Sequence, residues 1–287
     1  MRRLFEILSA ATVVLLAAAS VQPAVAADTL RIVAAENFYG DLAAQIGGSH
    51  VAVTSIMANP DDDPHLFESS PSTARSLATA DIVLYNGADY DPWMDKLLSA
   101  AAAPGRTTLV AADLVGRKSG DNPHLWYDPA TFPAVAAALA AELAKRDPAD
   151  AAEFSANLET FNQDFATATA GIAAIKAAHA GVKVTATEPV FGYMAAAMGL
   201  DMLNQRFQLA VMNETEPSAS DVAAFEDSLK SGTAKILFYN SQVTDETTTR
   251  LLALANAAKV PVIGVTETEP GGQTIQSWFA GQIAALA

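Results

Sequence analysis

The stretch DPADAAEFSANLETFNQDFATATAGIAAIKAAH (residues 147–179) carries apolar side chains at Phe154, Leu158, Phe161, Phe165, Ala168, Ile172 and Ile175, in alternating steps of four and three. That spacing keeps one apolar stripe on a helix of about 3.6 residues per turn. Asp147 and Pro148 offer a cap and a first turn, so the expectation is one continuous helix ending near His179. At ~1.5 Å per residue it would be roughly 45 Å long. A helix of this length in the middle of the chain reads as a rigid spine between two lobes. The plainer reading is a long helix packed on a single sheet.

The flanking sequence favours the spine. Before it, residues 30–35, 51–57, 81–86 and 107–111 read as strands, with helices expected at 38–46 and 71–80, the latter opened by Ser70 and Pro71. Residues 130–145 form an alanine-rich helix. After the spine come strands at 182–186, 235–239 and 260–265, and helices at 193–198, 218–231, 245–258 and from 274 onward. Strands alternating with helices imply parallel sheets. The expected fold class is therefore α/β: two lobes, each a mostly parallel sheet flanked by helices, joined by a long rigid linker helix. The expected boundaries are 27–128 for the first lobe, 129–180 for the helical segment and 181–287 for the second lobe.

Residues 1–26 read as a cleaved secretory signal peptide. Arg2 and Arg3 precede an apolar run from about Ala10 to Ala19, and Ala24-Val25-Ala26 presents small residues for cleavage. The run is too short to span ~30 Å of hydrocarbon. The chain has no cysteine, which excludes disulfides, thiolate metal sites and a lipid-modified cysteine. The expected location is thus periplasmic, without a lipid anchor. Of 287 residues, 51% are hydrophobic and 17% charged, and the net charge is −15. That balance argues against nucleic acid as a partner, since phosphates call for Lys and Arg.

There are four histidines. His50, beside Gly47-Gly48, and His179, at the end of the spine, read as surface residues. His65 lies in Asn59-Pro60-Asp61-Asp62-Asp63-Pro64-His65-Leu66-Phe67-Glu68, directly after a strand, where ligands of open α/β sheets bind. His124 lies in Asp121-Asn122-Pro123-His124-Leu125-Trp126-Tyr127-Asp128. Each has a proline immediately before it and acidic and aromatic neighbours. In the second half, Glu188 and Glu267 closely follow the strands at 182–186 and 260–265. Two imidazoles from one lobe and two carboxylates from the other would close a four-residue site and neutralise a dication.

These segments resemble the periplasmic metal-receptor (solute-binding) family of zinc, manganese and iron ABC importers. The likeness is carried by Asp63-Pro64-His65-Leu66-Phe67-Glu68-Ser69-Ser70-Pro71-Ser72, Asp81-Ile82-Val83-Leu84-Tyr85-Asn86-Gly87, Asn122-Pro123-His124-Leu125-Trp126, Pro189-Val190-Phe191-Gly192-Tyr193 and Glu216-Pro217-Ser218. The resemblance implies a metal buried between the lobes, a permease of the cytoplasmic membrane as partner, a monomer and no enzymatic activity. It implies the metal ligands His65, His124, Glu188 and Glu267, the last with Glu269 two residues away as an alternative.

Two departures bear on the cargo. The long His- and Asp-rich loop of many zinc receptors is absent, and glutamate occupies the third ligand position. Two imidazoles with two carboxylates suit Mn²⁺ or Fe²⁺, with Zn²⁺ close behind because most N/O sites bind it more tightly than Mn²⁺. The alternatives are a receptor for an organic solute or metal chelate, for which Arg75, Arg206, Trp126 and Tyr127 are available, and a metallohydrolase. The chain has neither a His-Glu-x-x-His helix nor a Gly-x-Ser-x-Gly elbow.

Overall fold

The computed structural model describes residues 29–59, 67 and 69–287. The expected signal peptide and the loop that carries His65 lie outside the described residues.

The first lobe runs β1 (Leu30–Glu36), α1 (Asn37–Gly47), β2 (Val51–Met57), α2 (Pro71–Thr79), β3 (Ile82–Tyr85), α3 (Pro92–Ala100), β4 (Thr107–Val110) and α4 (Ala111–Leu114). The helical segment holds α5 (Thr131–Arg146), α6 (Ala151–Thr169) and α7 (Gly171–His179). The second lobe follows as β5 (Lys183–Ala186), α8 (Gly192–Ala197), β6 (Asp201–Met202), α9 (Gln205–Met212), α10 (Ala219–Lys230), β7 (Leu237–Asn240), α11 (Glu246–Ala257), β8 (Val262–Val265) and α12 (Ile275–Ala284).

Each lobe has a four-stranded parallel sheet, and the two strand orders are the same: β2-β1-β3-β4 and β6-β5-β7-β8. The strand order reverses between β1 and β3 and again between β5 and β7. That reversal opens a crevice beyond the carboxyl ends of those strands. The registers pair Ala34 with Leu84 and Ala186 with Phe238. Two residues further on, Glu36 falls beside Asn86, and Glu188 beside Asn240.

Both faces of each sheet are covered, as parallel strands require. In the first sheet Val33 and Val83 face Leu77 of α2 and Met94 of α3, while Ile32 and Leu84 face inward. In the second, Leu237 and Tyr239 face Phe207, Phe225 and Leu251, while Val184 and Phe238 face inward. The two inward faces share one core with α1, α5, the spine and α12. At its centre Phe279 of α12 lies 5.7 Å from Tyr127, 5.6 Å from Phe132 and 5.4 Å from Phe165, centroid to centroid. The final helix of the second half thus packs on α6 and α1 and joins the lobes at the back.

The spine departs from the expected continuous helix in two ways. It begins at Ala151, because residues 147–150 form a turn in which the Asp150 amide donates to the Asp147 carbonyl at 3.3 Å. It is also broken at Ala170, between α6 and α7. There the Thr169 hydroxyl donates to the Phe165 carbonyl at 2.8 Å, a back-bond that bends helices. Gly171 follows, and a Cβ at this position would come within 2.6 Å of Ile283 in α12. The apolar stripe itself matches the expectation: Phe154, Phe161, Phe165 and Ile175 are buried, and Leu158 and Ile172 pack against the same core.

His50 is not a solvated surface residue. Its Nδ1 lies 3.3 Å from Asp150, its Nε2 lies 3.2 Å from Glu153, and its ring stacks edge-on against Phe154. His179 is exposed, as expected.

Removing the Phe279 ring should cost about 3–5 kcal/mol, the range for buried aromatic truncations. Urea unfolding of the Phe279→Ala variant checks this, and a loss under about 1 kcal/mol would place α12 outside the shared core.

Candidate metal centre

Glu188 follows β5, Asn240 ends β7 and Glu267 follows β8, so all three stand at carboxyl ends of parallel strands. Glu188 and Glu267 are 1% and 0% exposed, and His124 from the first lobe is 0% exposed. His124 Nε2 lies 3.5 Å from Glu267 Oε2. The Asn240 amide joins the two carboxylates, donating from Nδ2 to Glu188 Oε2 at 2.5 Å and to Glu267 Oε1 at 2.7 Å. Of the four residues expected to form the site, the structure therefore brings three together: His124, Glu188 and Glu267. The fourth, His65, lies outside the described residues.

The imidazole is aimed by Asn122. Asn122 Oδ1 lies 2.7 Å from His124 Nδ1 and accepts from the His124 amide at 3.1 Å. A side-chain carbonyl oxygen is an acceptor, so the proton belongs on Nδ1 and the lone pair on Nε2, which faces Glu267. The same Asn122 donates to the Pro189 carbonyl at 2.8 Å, one residue beyond Glu188, and its own carbonyl accepts from Tyr193 at 2.7 Å. One side chain thus ties the orientation of His124 to the loop that carries Glu188.

Glu267 is held from both lobes. Its amide donates to Gln242 Oε1 at 2.5 Å, and its carbonyl accepts from Tyr90 of the first lobe at 3.4 Å. Tyr127 donates to the preceding carbonyl, that of Thr266, at 3.1 Å. Glu269, the alternative at the fourth position, is placed elsewhere. Its backbone pairs with the Asn37 side chain through bonds of 2.7 and 2.9 Å. Burial, together with the nearby Asp41 carboxylate, pushes its carboxyl up to about 8.

Asn240, Asn122, Gln242 and Tyr90 were not singled out from the sequence. The signal for Asn240 was available, because it ends a strand in the same way that Glu188 and Glu267 follow theirs. Of the groups considered for an organic solute, the two arginines are on the surface and the two aromatic rings are packed in the core behind the centre, with Trp126 5.3 Å from the His124 ring. Arg206 is exposed and paired with Asp221 at 2.7 Å, Arg75 is exposed, and Trp126 and Tyr127 are fully buried in the core.

The family model described as "Zinc-uptake complex component A periplasmic" matches residues 32–287. The manganese-binding lipoprotein MntA of Bacillus subtilis (strain 168) is 30% identical over 142 residues, which is 47% of this chain and 46% of that protein. The chain therefore spans about half the length of that relative. The high-affinity zinc uptake system protein ZnuA of Paracoccus denitrificans (strain Pd 1222) is 22% identical over 243 residues, 71% of this chain and 73% of that one. Among solved structures, the periplasmic zinc binding protein TroA from Treponema pallidum superposes with a TM-score of 0.73 at 20% identity, covering 91% of this chain and 99% of that one. With the family model matching nearly the whole described chain, the protein belongs to the family described as zinc-uptake complex component A, periplasmic.

Proposed function

We propose that this protein is a receptor that captures one divalent transition-metal ion between its lobes and delivers it to an ABC permease. The observation that carries the reading is the buried group of His124, Glu188 and Glu267, with two carboxylates gathered on one amide. Two carboxylates out of contact with water call for a cation of matching charge. His124 offers a neutral nitrogen, Glu188 and Glu267 offer oxygens and charge, and His65, on the sequence motif alone, completes the set. The donors suit Mn²⁺ or Fe²⁺, with Zn²⁺ close behind. The protein acts in the periplasm as a soluble monomer, released from its signal peptide. No reaction is catalysed; the work done is selection, shielding and release of the ion.

Metal-free mature protein titrated anaerobically with Mn²⁺, Fe²⁺ and Zn²⁺ should show one tight site per chain by calorimetry. Absence of tight binding for all three ions would overturn the reading. Truncating Asn122 to alanine frees the imidazole without removing a ligand. The expected loss is roughly 10–100-fold in affinity, the usual cost of losing an outer partner. His124→Ala, Glu188→Gln and Glu267→Gln should each lose more than that while keeping the wild-type circular dichroism spectrum. Wild-type affinity in any of these three would remove that residue from the ligand set.

A further inference from the structure

Asn240 ends β7, the strand that lies between β5 and β8, and is 1% exposed. β5 ends at Ala186 and β8 at Val265, so Glu188 and Glu267 each stand two residues beyond their strand, one on either side of Asn240.

The Asn240 amide is oriented from outside that pair. Its Oδ1 accepts from the Gln242 backbone amide at 3.0 Å, and its own backbone amide donates to Thr187 Oγ1 at 3.1 Å. With the carbonyl oxygen engaged in this way, Nδ2 is the end that faces the carboxylates. An asparagine side chain has two N–H protons, and both are taken: one goes to Glu188 Oε2 and the other to Glu267 Oε1.

The two oxygens of Glu267 are thereby divided by task. Oε1 rests on Asn240, while Oε2 lies 3.5 Å from His124 Nε2. That nitrogen is buried and has no hydrogen-bond partner among the described residues. The 3.5 Å separation fits two ligands of one four-coordinate ion. Bonds of ~2.0–2.2 Å in a tetrahedron put neighbouring ligand atoms ~3.3–3.6 Å apart. Glu188 is divided likewise, with Oε2 on Asn240.

We infer that Asn240 is a specificity-determining residue of the metal centre: by holding one oxygen of each glutamate, it confines both to a single bond to the ion. The inference rests on Glu188 and Glu267 being ligands. A carboxylate with both oxygens free can bind through both. Two such carboxylates with two imidazoles make a six-coordinate set, the geometry open to Mn²⁺. With one oxygen of each on Asn240, the same residues offer four donors, the number that Zn²⁺ takes. The residue types alone suit Mn²⁺ or Fe²⁺, and Asn240 draws the balance toward Zn²⁺.

Co²⁺ is the spectroscopic probe, because its visible d–d bands are intense in four-coordinate sites and weak in six-coordinate ones. Wild-type protein loaded with Co²⁺ should show the intense bands. Asn240→Leu, which removes the donor without leaving a cavity, and Asn240→Ala should show weak ones. In competition titrations the ratio of Zn²⁺ to Mn²⁺ affinity should fall at least about tenfold in both variants, within the 10–100-fold range for losing an outer partner. Weak bands in the wild type overturn the inference, and that measurement needs no variant to fold. So do intense bands in a folded Asn240→Leu or Asn240→Ala. Equal losses of Zn²⁺ and Mn²⁺ affinity overturn it as well, since a merely structural role gives that result. Glu188→Gln and Glu267→Gln separate this inference from the reading beneath it. Wild-type Co²⁺ affinity in both removes the ligand assignment and the inference with it. Weakened binding in both, alongside weak bands in the wild type, overturns the role of Asn240 alone.

Discussion

Two glutamates buried within reach of one asparagine amide set the terms for the rest of this molecule. Removing a single carboxylate from water costs several kcal/mol, and a second beside it adds repulsion. Asn240 offsets part of this by donating to both Glu188 and Glu267. An amide carries no net charge, however, so an ionised pair would still call for a compensating cation. The neighbouring imidazole of His124 cannot cancel that charge while it stays neutral, which is the form that binds a metal. Under the proposed function, a bound dication would supply that compensating charge.

Holding such a centre together requires a frame that cannot relax by spreading the carboxylates apart. The frame is the core shared by both lobes, in which Phe38, Tyr127, Phe132, Phe165, Trp278 and Phe279 form a contiguous set of ring contacts. Interiors packed in this way resist continuous deformation. The spine lies along this core, and α12 returns from the second lobe to close it. Lobes joined so broadly at the back leave only small hinge movement at the front.

Much of this was legible in the sequence because it follows from period and punctuation. The stripe from Phe154 to Ile175 announced the spine, and strand–helix alternation announced two parallel sheets. The rule that ligands gather beyond strand ends pointed to Glu188 and Glu267 before any geometry was known. What was not legible depends on tertiary contact. The break at Ala170 falls where α12 comes close to Gly171, over a hundred positions away in the chain, a proximity that no local pattern records. Strand β6 has two residues, too few to show a period. Helix α3 did announce itself, with Pro92 at its first turn, but its residues were not read as a helix. His50 looked like a loop histidine because the turn that brings Asp150 and Glu153 to it is set by the fold. The different surroundings of Glu267 and Glu269 were likewise not legible, since both follow the same strand and only the fold puts the Glu267 carboxylate beside His124 and Asn240.

The contacts that join the lobes differ in kind from back to front, and under the proposed function this bears on how an ion would be released. At the back they are aromatic and apolar, and separating them would expose surface that water cannot satisfy. Beside the centre they are hydrogen bonds: Asn122 to the Pro189 carbonyl, Tyr193 to the Asn122 carbonyl, Tyr90 to the Glu267 carbonyl, and Asn37 to the Glu269 backbone. Water can take over each of these at little net cost, because exchanging a protein hydrogen bond for one to water is worth only ~1 kcal/mol. The low-cost motion is therefore an opening of the rim about the aromatic back. Such a motion would carry Asn122 away from Pro189 and so separate His124 from Glu188 and Glu267. It also admits water to the two carboxylates, which weakens their hold on a cation by raising the local dielectric. Under the proposed function, capture and release would thus be the same few hydrogen bonds, made or exchanged, on a scaffold that stays closed behind them.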